Sequence, residues 1–108
     1  MAQVPARGIA GALKRIHDLT FLGRVQFTHK AWRELAELRL ARIDACEVIS
    51  SFESEHLVGR VTSEHTDEWL YVFRSEIAGL PIYVKMVLRD DCVVISFHEE
   101  SARDASEK

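Results

Sequence analysis

Near its C-terminal end the chain carries a phenol, an ammonium, a hydroxyl and an imidazole, supplied by Tyr83, Lys85, Ser96 and His98. Together these groups could cleave a phosphodiester without a metal. In RNA the 2′-hydroxyl loses a proton and attacks the adjacent phosphorus, and the 5′-oxygen leaves with a proton. Such a site needs a general base, a general acid and cationic donors for the crowded phosphorane. Histidine suits proton transfer because its unperturbed pKa is about 6.5. Tyrosine can donate or orient at short range. Lysine and arginine neutralise phosphate charge, arginine in a forked geometry. Tyr83, His98 and Lys85 are therefore candidate catalytic residues, His98 as base or acid. The competing reading is ordinary strand surface, with a solvated imidazole beside Glu99 and Glu100, a packed phenol and a solvent-facing lysine.

A hairpin must bring these groups together. Ile82–Leu88 and Cys92–His98 read as two strands around an acidic turn. Centring that turn on Asp90-Asp91 sets Tyr83 opposite His98 and Lys85 opposite Ser96. Alternation then assigns Ile82, Val84, Met86, Leu88, Val93, Ile95 and Phe97 to a core face. The other face receives Tyr83, Lys85, Val87 and Arg89, with Cys92, Val94, Ser96 and His98. Arg89 is thereby a candidate phosphate ligand.

Upstream, the alternating stretches Leu57–Thr62 and Glu68–Arg74 read as two further strands, joined by the polar turn Ser63–Asp67. Arg60 and Thr62 share a face of their strand and are further candidates for RNA or phosphate binding. Trp69, Tyr71 and Phe73 form an aromatic row, either a core stripe facing helices or a platform for stacking bases. Before Glu55 the period is helical. Ile9, Leu13, Ile16 and Leu19 mark one helix, stopped at Gly23. Arg24–Phe27 could be a short edge strand. Thr28 can cap a second helix with Ala31, Leu35 and Leu38 inward. Asp44 followed by Glu47 resembles a capping box for a third, which could instead begin near Ala41. The expected fold is α+β: N-terminal helices packed on one face of a four-stranded antiparallel sheet. One domain spans 1–108, with 1–7 and 100–108 expected to be flexible.

An apolar content of 47% suits one compact core without disulfide staples. Cys46 and Cys92 are distant and form no CxxC, so they read as reduced, small apolar residues, as in a cytoplasmic protein. The apolar runs fall far short of the roughly 20 residues a membrane span needs. His56, Glu64, His65 and Asp67 match no zinc spacing, and no glycine-rich phosphate loop occurs, so no metal or cofactor is expected. Net charge is −3, of which the last ten residues contribute −2. Any nucleic-acid footprint must therefore be a local basic patch on a near-neutral body.

The ordered series Gly23-Arg-Val, Thr28-x-x-Ala31, Cys46-Glu-Val-Ile49, Trp69, Gly79-x-x-x-Tyr83-Val-Lys85 and Val94-Ile-Ser-Phe-His-Glu99 resembles the MqsR family of bacterial toxins. The resemblance spans roughly residues 23–99. It implies a RelE-like fold and a type II toxin–antitoxin role. It also implies metal-independent endoribonuclease activity on mRNA, and a cognate antitoxin encoded nearby. The family's tyrosine maps onto Tyr83, and its basic residue after Ser-Phe onto His98. The family's lysine falls on or near Val58 and its glutamine on Leu70, so Arg60 is the nearest replacement cation. A non-catalytic module that keeps the toxin fold and binds an antitoxin or regulator is the alternative.

Overall fold

The computed structural model describes residues 5–62 and 68–100, without the side chains of 5–8, 61 and 62. The expected turn Ser63–Asp67 and the ends 1–4 and 101–108 lie outside the described residues. Three helices precede the sheet strands β2–β5, in the order α1 (Pro5–Phe21), β1 (Val25–Phe27), α2 (His29–Glu37), α3 (Arg42–Ser50), a 3-10 turn (Ser54–His56), β2 (Leu57–Thr62), β3 (Trp69–Ile77), β4 (Leu80–Leu88) and β5 (Cys92–Glu99).

Helix α1 begins earlier than its apolar spacing indicates, with Pro5 at the first helical position, where a missing N–H costs nothing. It ends as expected at Gly23, whose φ of 76° is the left-handed conformation that glycine tolerates. Gly23 N–H donates to Thr20 C=O and Arg24 N–H to Leu19 C=O, which closes the helix end in a Schellman arrangement. In α2 the Thr28 hydroxyl accepts from Ala31 N–H at 3.1 Å, the expected N-cap. Helix α3 starts at Arg42 rather than after Asp44. Asp44 sits three residues inside, and its carboxylate accepts Ala41 N–H at 2.8 Å. A carboxylate at the third helical position reaches back to the cap as readily as a cap reaches forward, which is why the sequence left both starts open.

Among the described residues the sheet has five strands, in the order β1-β5-β4-β3-β2. This corrects the expected four-stranded antiparallel sheet: β1 joins as a fifth strand, parallel to β5, with Val25 opposite Cys92 and Phe27 opposite Val94. Three residues are too few to show alternation, and a parallel partner so distant in sequence leaves no turn signature. Asp91 holds this edge in place, accepting from Arg24 Nε at 2.8 Å and from Gln26 Nε2 at 2.5 Å.

The β4–β5 hairpin has a second correction. Leu88 pairs with Cys92 and Met86 with Val94, so the loop is Arg89, Asp90 and Asp91. Ile95 is then an extra residue, beyond which Lys85 pairs with Ser96 and Tyr83 with His98. Cys92 and Val94 are consequently buried, while Val93 and Ile95 are only half-buried, against the expectation from simple alternation. A bulge exchanges faces on one side of itself only. Burial pushes the Cys92 thiol up to about 12, in keeping with a small apolar residue; it lies 3.4 Å from Met86 Sδ.

The core joins Ile16, Leu35, Ile49, Phe52, Phe73, Ile82, Val84, Met86, Val94 and Phe97. Phe52, just past α3, stacks on Phe73 of β3 at 4.4 Å between centroids. The aromatic row is thus mostly a core stripe: Tyr71 and Phe73 are buried, whereas Trp69 is exposed. Helix α2 follows the β5 edge. Its Ala31 and Leu35 enter the core, while its Lys30 and Glu34 reach the other side of β5. Past β5, Glu100 N–H donates to Pro81 C=O at 2.8 Å and its carboxylate pairs with Arg74.

Candidate active site

The bulge at Ile95 puts the polar groups together. Continuing the register from the loop would set Tyr83 opposite Phe97 and Lys85 opposite Ile95. The one-residue insertion instead turns Ser96 and His98 toward Lys85 and Tyr83. Thr28 clamps the insertion. Its N–H donates to Val94 C=O at 3.1 Å and its hydroxyl to Ile95 C=O at 3.0 Å. The same threonine therefore starts α2 and fixes the strand irregularity that forms the site.

The Tyr83 and His98 rings stand 6.2 Å apart at 54°. Tyr83 is 6% exposed, and among the described residues its hydroxyl makes no hydrogen bond. The His98 side chain is 24% exposed, enough for a ligand to reach it. Lys85 is half-buried and makes no ion pair or hydrogen bond among the described residues. Arg74 lies opposite Tyr83 on β3 and is engaged by Glu100.

Ser96 is fully buried, and three groups from two elements converge on it. Its Oγ lies 3.0 Å from Glu34 Oε1, 3.2 Å from Lys30 Nζ and 2.8 Å from His98 Nδ1. Glu34 Oε1 also accepts Phe97 N–H at 2.8 Å. Its Oε2 lies 3.5 Å from Lys30 Nζ and 3.6 Å from His98 Nδ1. Burial alone would raise the Glu34 pKa. The hydrogen bonds from Phe97 and Ser96, with the charges of Lys30 and His98, outweigh burial and hold it below the ordinary value.

Sequence reasoning named Tyr83, Lys85 and His98, and the structure brings these three together. It does not bring Arg60 or Arg89 to them, and the Thr62 side chain lies outside what the structure describes. Val58 is an extra residue in β2, and beyond it Arg60 pairs with Tyr71 and Thr62 with Trp69. Tyr71 in turn pairs with Met86, so this register follows the core side of the sheet, opposite Tyr83 and Lys85. The Arg60 guanidinium lies over the Trp69 ring, 4.3 Å from its centroid. Arg89 belongs to the loop rather than to β4, and its guanidinium grips both Glu68 oxygens at 2.8 and 2.9 Å.

Sequence reasoning missed Lys30 and Glu34. Their spacing of four residues places them on one helix face. Nothing in that spacing shows that they meet a strand some sixty residues later. A groove of about 580 Å³ between α1 and α3, lined by Phe21, Ile43 and Cys46 among others, lies outside this cluster.

A phenol, an imidazole and two ammonium groups thus lie together on the outer side of an α+β sheet. The family described as "Motility quorum-sensing regulator, toxin of MqsA" matches residues 10–99. The chain belongs to that family and is a toxin of a toxin–antitoxin system. Among curated proteins, none matches the sequence. None of the described helices is long and apolar enough to cross a membrane.

Proposed function

We propose that the protein is a metal-independent endoribonuclease that cleaves mRNA in the cytoplasm and is neutralised by an antitoxin encoded beside it. The observation that carries this reading is the facing pair Tyr83 and His98, with Lys85 and Lys30 on either side of the imidazole strand. His98 exchanges the proton at the 2′-hydroxyl or at the leaving 5′-oxygen. Tyr83 serves the other oxygen or orients the phosphate. Lys85 and Lys30 offset the charge that builds on the phosphorane, a role for which Arg60 and Arg89 are turned away. Family membership supports the toxin role and an antitoxin partner.

The test is incubation of purified protein with mRNA in EDTA, alongside His98→Ala and Tyr83→Phe. Cleavage by wild type, lost in His98→Ala, is the expected result. Uncut RNA with all three proteins refutes the catalytic reading. A second reading, a non-catalytic module that binds an antitoxin or regulator, is favoured by Val58, on or near the position where the resemblance implies a lysine, and by Leu70, where it implies a glutamine. Growth arrest on expression that persists in His98→Ala would support it.

A further inference from the structure

The hydrogen bonds around Ser96 allow only one arrangement of protons. A serine hydroxyl has one proton to give and two lone pairs to receive. Lys30 can only donate. Glu34, ionised beside Lys30 and already accepting from Phe97, can only accept. The Ser96 proton must therefore point to Glu34 Oε1 at 3.0 Å, since two oxygens at that distance without a proton between them would repel. One Ser96 lone pair takes Lys30. The remaining one faces His98 Nδ1 at 2.8 Å, so Nδ1 must carry the hydrogen. Tyr83 also stands across from the ring, and Lys85 lies one pair along the hairpin.

From this we infer that Glu34, acting through Ser96, is a positioning residue that holds neutral His98 in the Nδ1–H tautomer and makes Nε2 the proton-exchanging nitrogen. The inference rests on the nuclease reading for its catalytic meaning, not for its geometry. As base, Nε2 takes the 2′-hydroxyl proton while the 2′-oxygen bonds to phosphorus. The bond from phosphorus to the 5′-oxygen breaks, and that oxygen takes a proton from the acid partner. As acid, protonated Nε2 supplies that last proton. In either role the imidazolium stands 3.6 Å from Glu34 Oε2, an opposite charge fixed in place by Phe97 N–H. The serine thus relays orientation, as the carboxylate does for histidine in hydrolytic triads.

The experiment is ¹⁵N NMR of the histidine rings in the full chain at alkaline pH, where imidazoles are neutral, with His98 assigned by loss of its signals in His98→Gln. Wild type is expected to show Nδ1 protonated. Ser96→Ala, a small change at a buried site, is expected to shift His98 to the Nε2–H form that an unconstrained histidine favours. Glu34→Gln, which keeps the shape and lets the amide donate, is expected to give a mixture. Cleavage by Ser96→Ala should fall about 10–100-fold in kcat with little change in KM, the scale on which metal-binding histidines lose function when their orienting partner is removed. An Nε2–H ring in wild type overturns the relay whatever the cleavage result, as does an unaltered tautomer in Ser96→Ala. A wild type that shows the Nδ1–H ring but leaves RNA uncut overturns the nuclease reading and upholds the geometric relay.

Discussion

Replacing Glu34 tests how firmly α2 is fastened to the strand that carries His98. Glu34→Ala removes the acceptor of Phe97 N–H, a backbone group of a fully buried residue. An orphaned buried donor costs about 1–3 kcal/mol. Ser96 loses its acceptor too, but its hydroxyl can turn toward His98 once Nδ1 gives up its hydrogen, so this adds little. Lys30 is more than half exposed, and its lost ion pair adds at most about 0.5 kcal/mol. The expected destabilisation is therefore about 2 kcal/mol, roughly a 10 °C fall in midpoint for a domain near this size. Glu34→Gln keeps an acceptor for Phe97 and should lose under about 1 kcal/mol at neutral pH. The pH dependence has a definite sign. The folded-state pKa of Glu34 is depressed below its ordinary value of 4.5, so its contribution is complete above that value and is lost as pH falls through the folded-state pKa. The gap between wild type and Glu34→Gln should accordingly close in acid. Urea unfolding followed by the fluorescence of Trp32 on α2 measures both quantities. A cost below about 0.5 kcal/mol for Glu34→Ala would refute the anchoring role, and a gap constant between pH 7 and pH 3 would refute the ionised carboxylate.

Phe52→Ala should destabilise by about 3–5 kcal/mol in the same assay, because it empties a fully buried site stacked on Phe73. Arg39→Gly should stabilise by about 0.5–1 kcal/mol, since Arg39 holds a φ of 60° just past α2, a conformation that penalises a Cβ. Lys30→Ala and Lys85→Ala should each weaken binding of a 2′-deoxy RNA analogue and lower its salt slope by about 1, whereas Arg60→Ala should leave both unchanged. Filter binding across a salt series checks all three variants.

The helix signals were legible because each rests on local chemistry. Gly23 stops α1 and Thr28 starts α2 through contacts within a few residues. The Tyr83–His98 pairing was legible for a less secure reason. A turn centred on Asp90-Asp91 has the same pairing beyond Ile95 as a three-residue loop followed by a bulge. The difference shows only between the bulge and the loop, where Val93 and Val94 exchange faces. Alternation carries no mark of an inserted residue, so Val58 hid the true side of Arg60 by the same means. Lys30 and Glu34 were invisible for another reason. They read as the solvent face of a helix, and only tertiary packing along the β5 edge sets them against Ser96.

The distribution of polar groups follows from that packing. The resemblance puts the family's lysine on or near Val58 of β2 and its glutamine on Leu70 of β3, both on the β3 side of Tyr83. Lys30 and Glu34 approach from the opposite side, across β5. The cation and the orienting carboxylate thus sit on a helix that must dock before the site exists. Docking of α2 and order at His98 depend on the same contacts: Thr28 to the bulge, Glu34 to Phe97 and Ser96. A variant that loosens α2 should therefore lose stability and histidine order together. Lys85→Ala, on a strand held between two others, should leave stability within about 0.5 kcal/mol and touch only what binds the face. If loosening α2 left the His98 ring signals unchanged, the site would have to be organised by β4 and β5 alone, and the helix would be only a cover for the sheet edge.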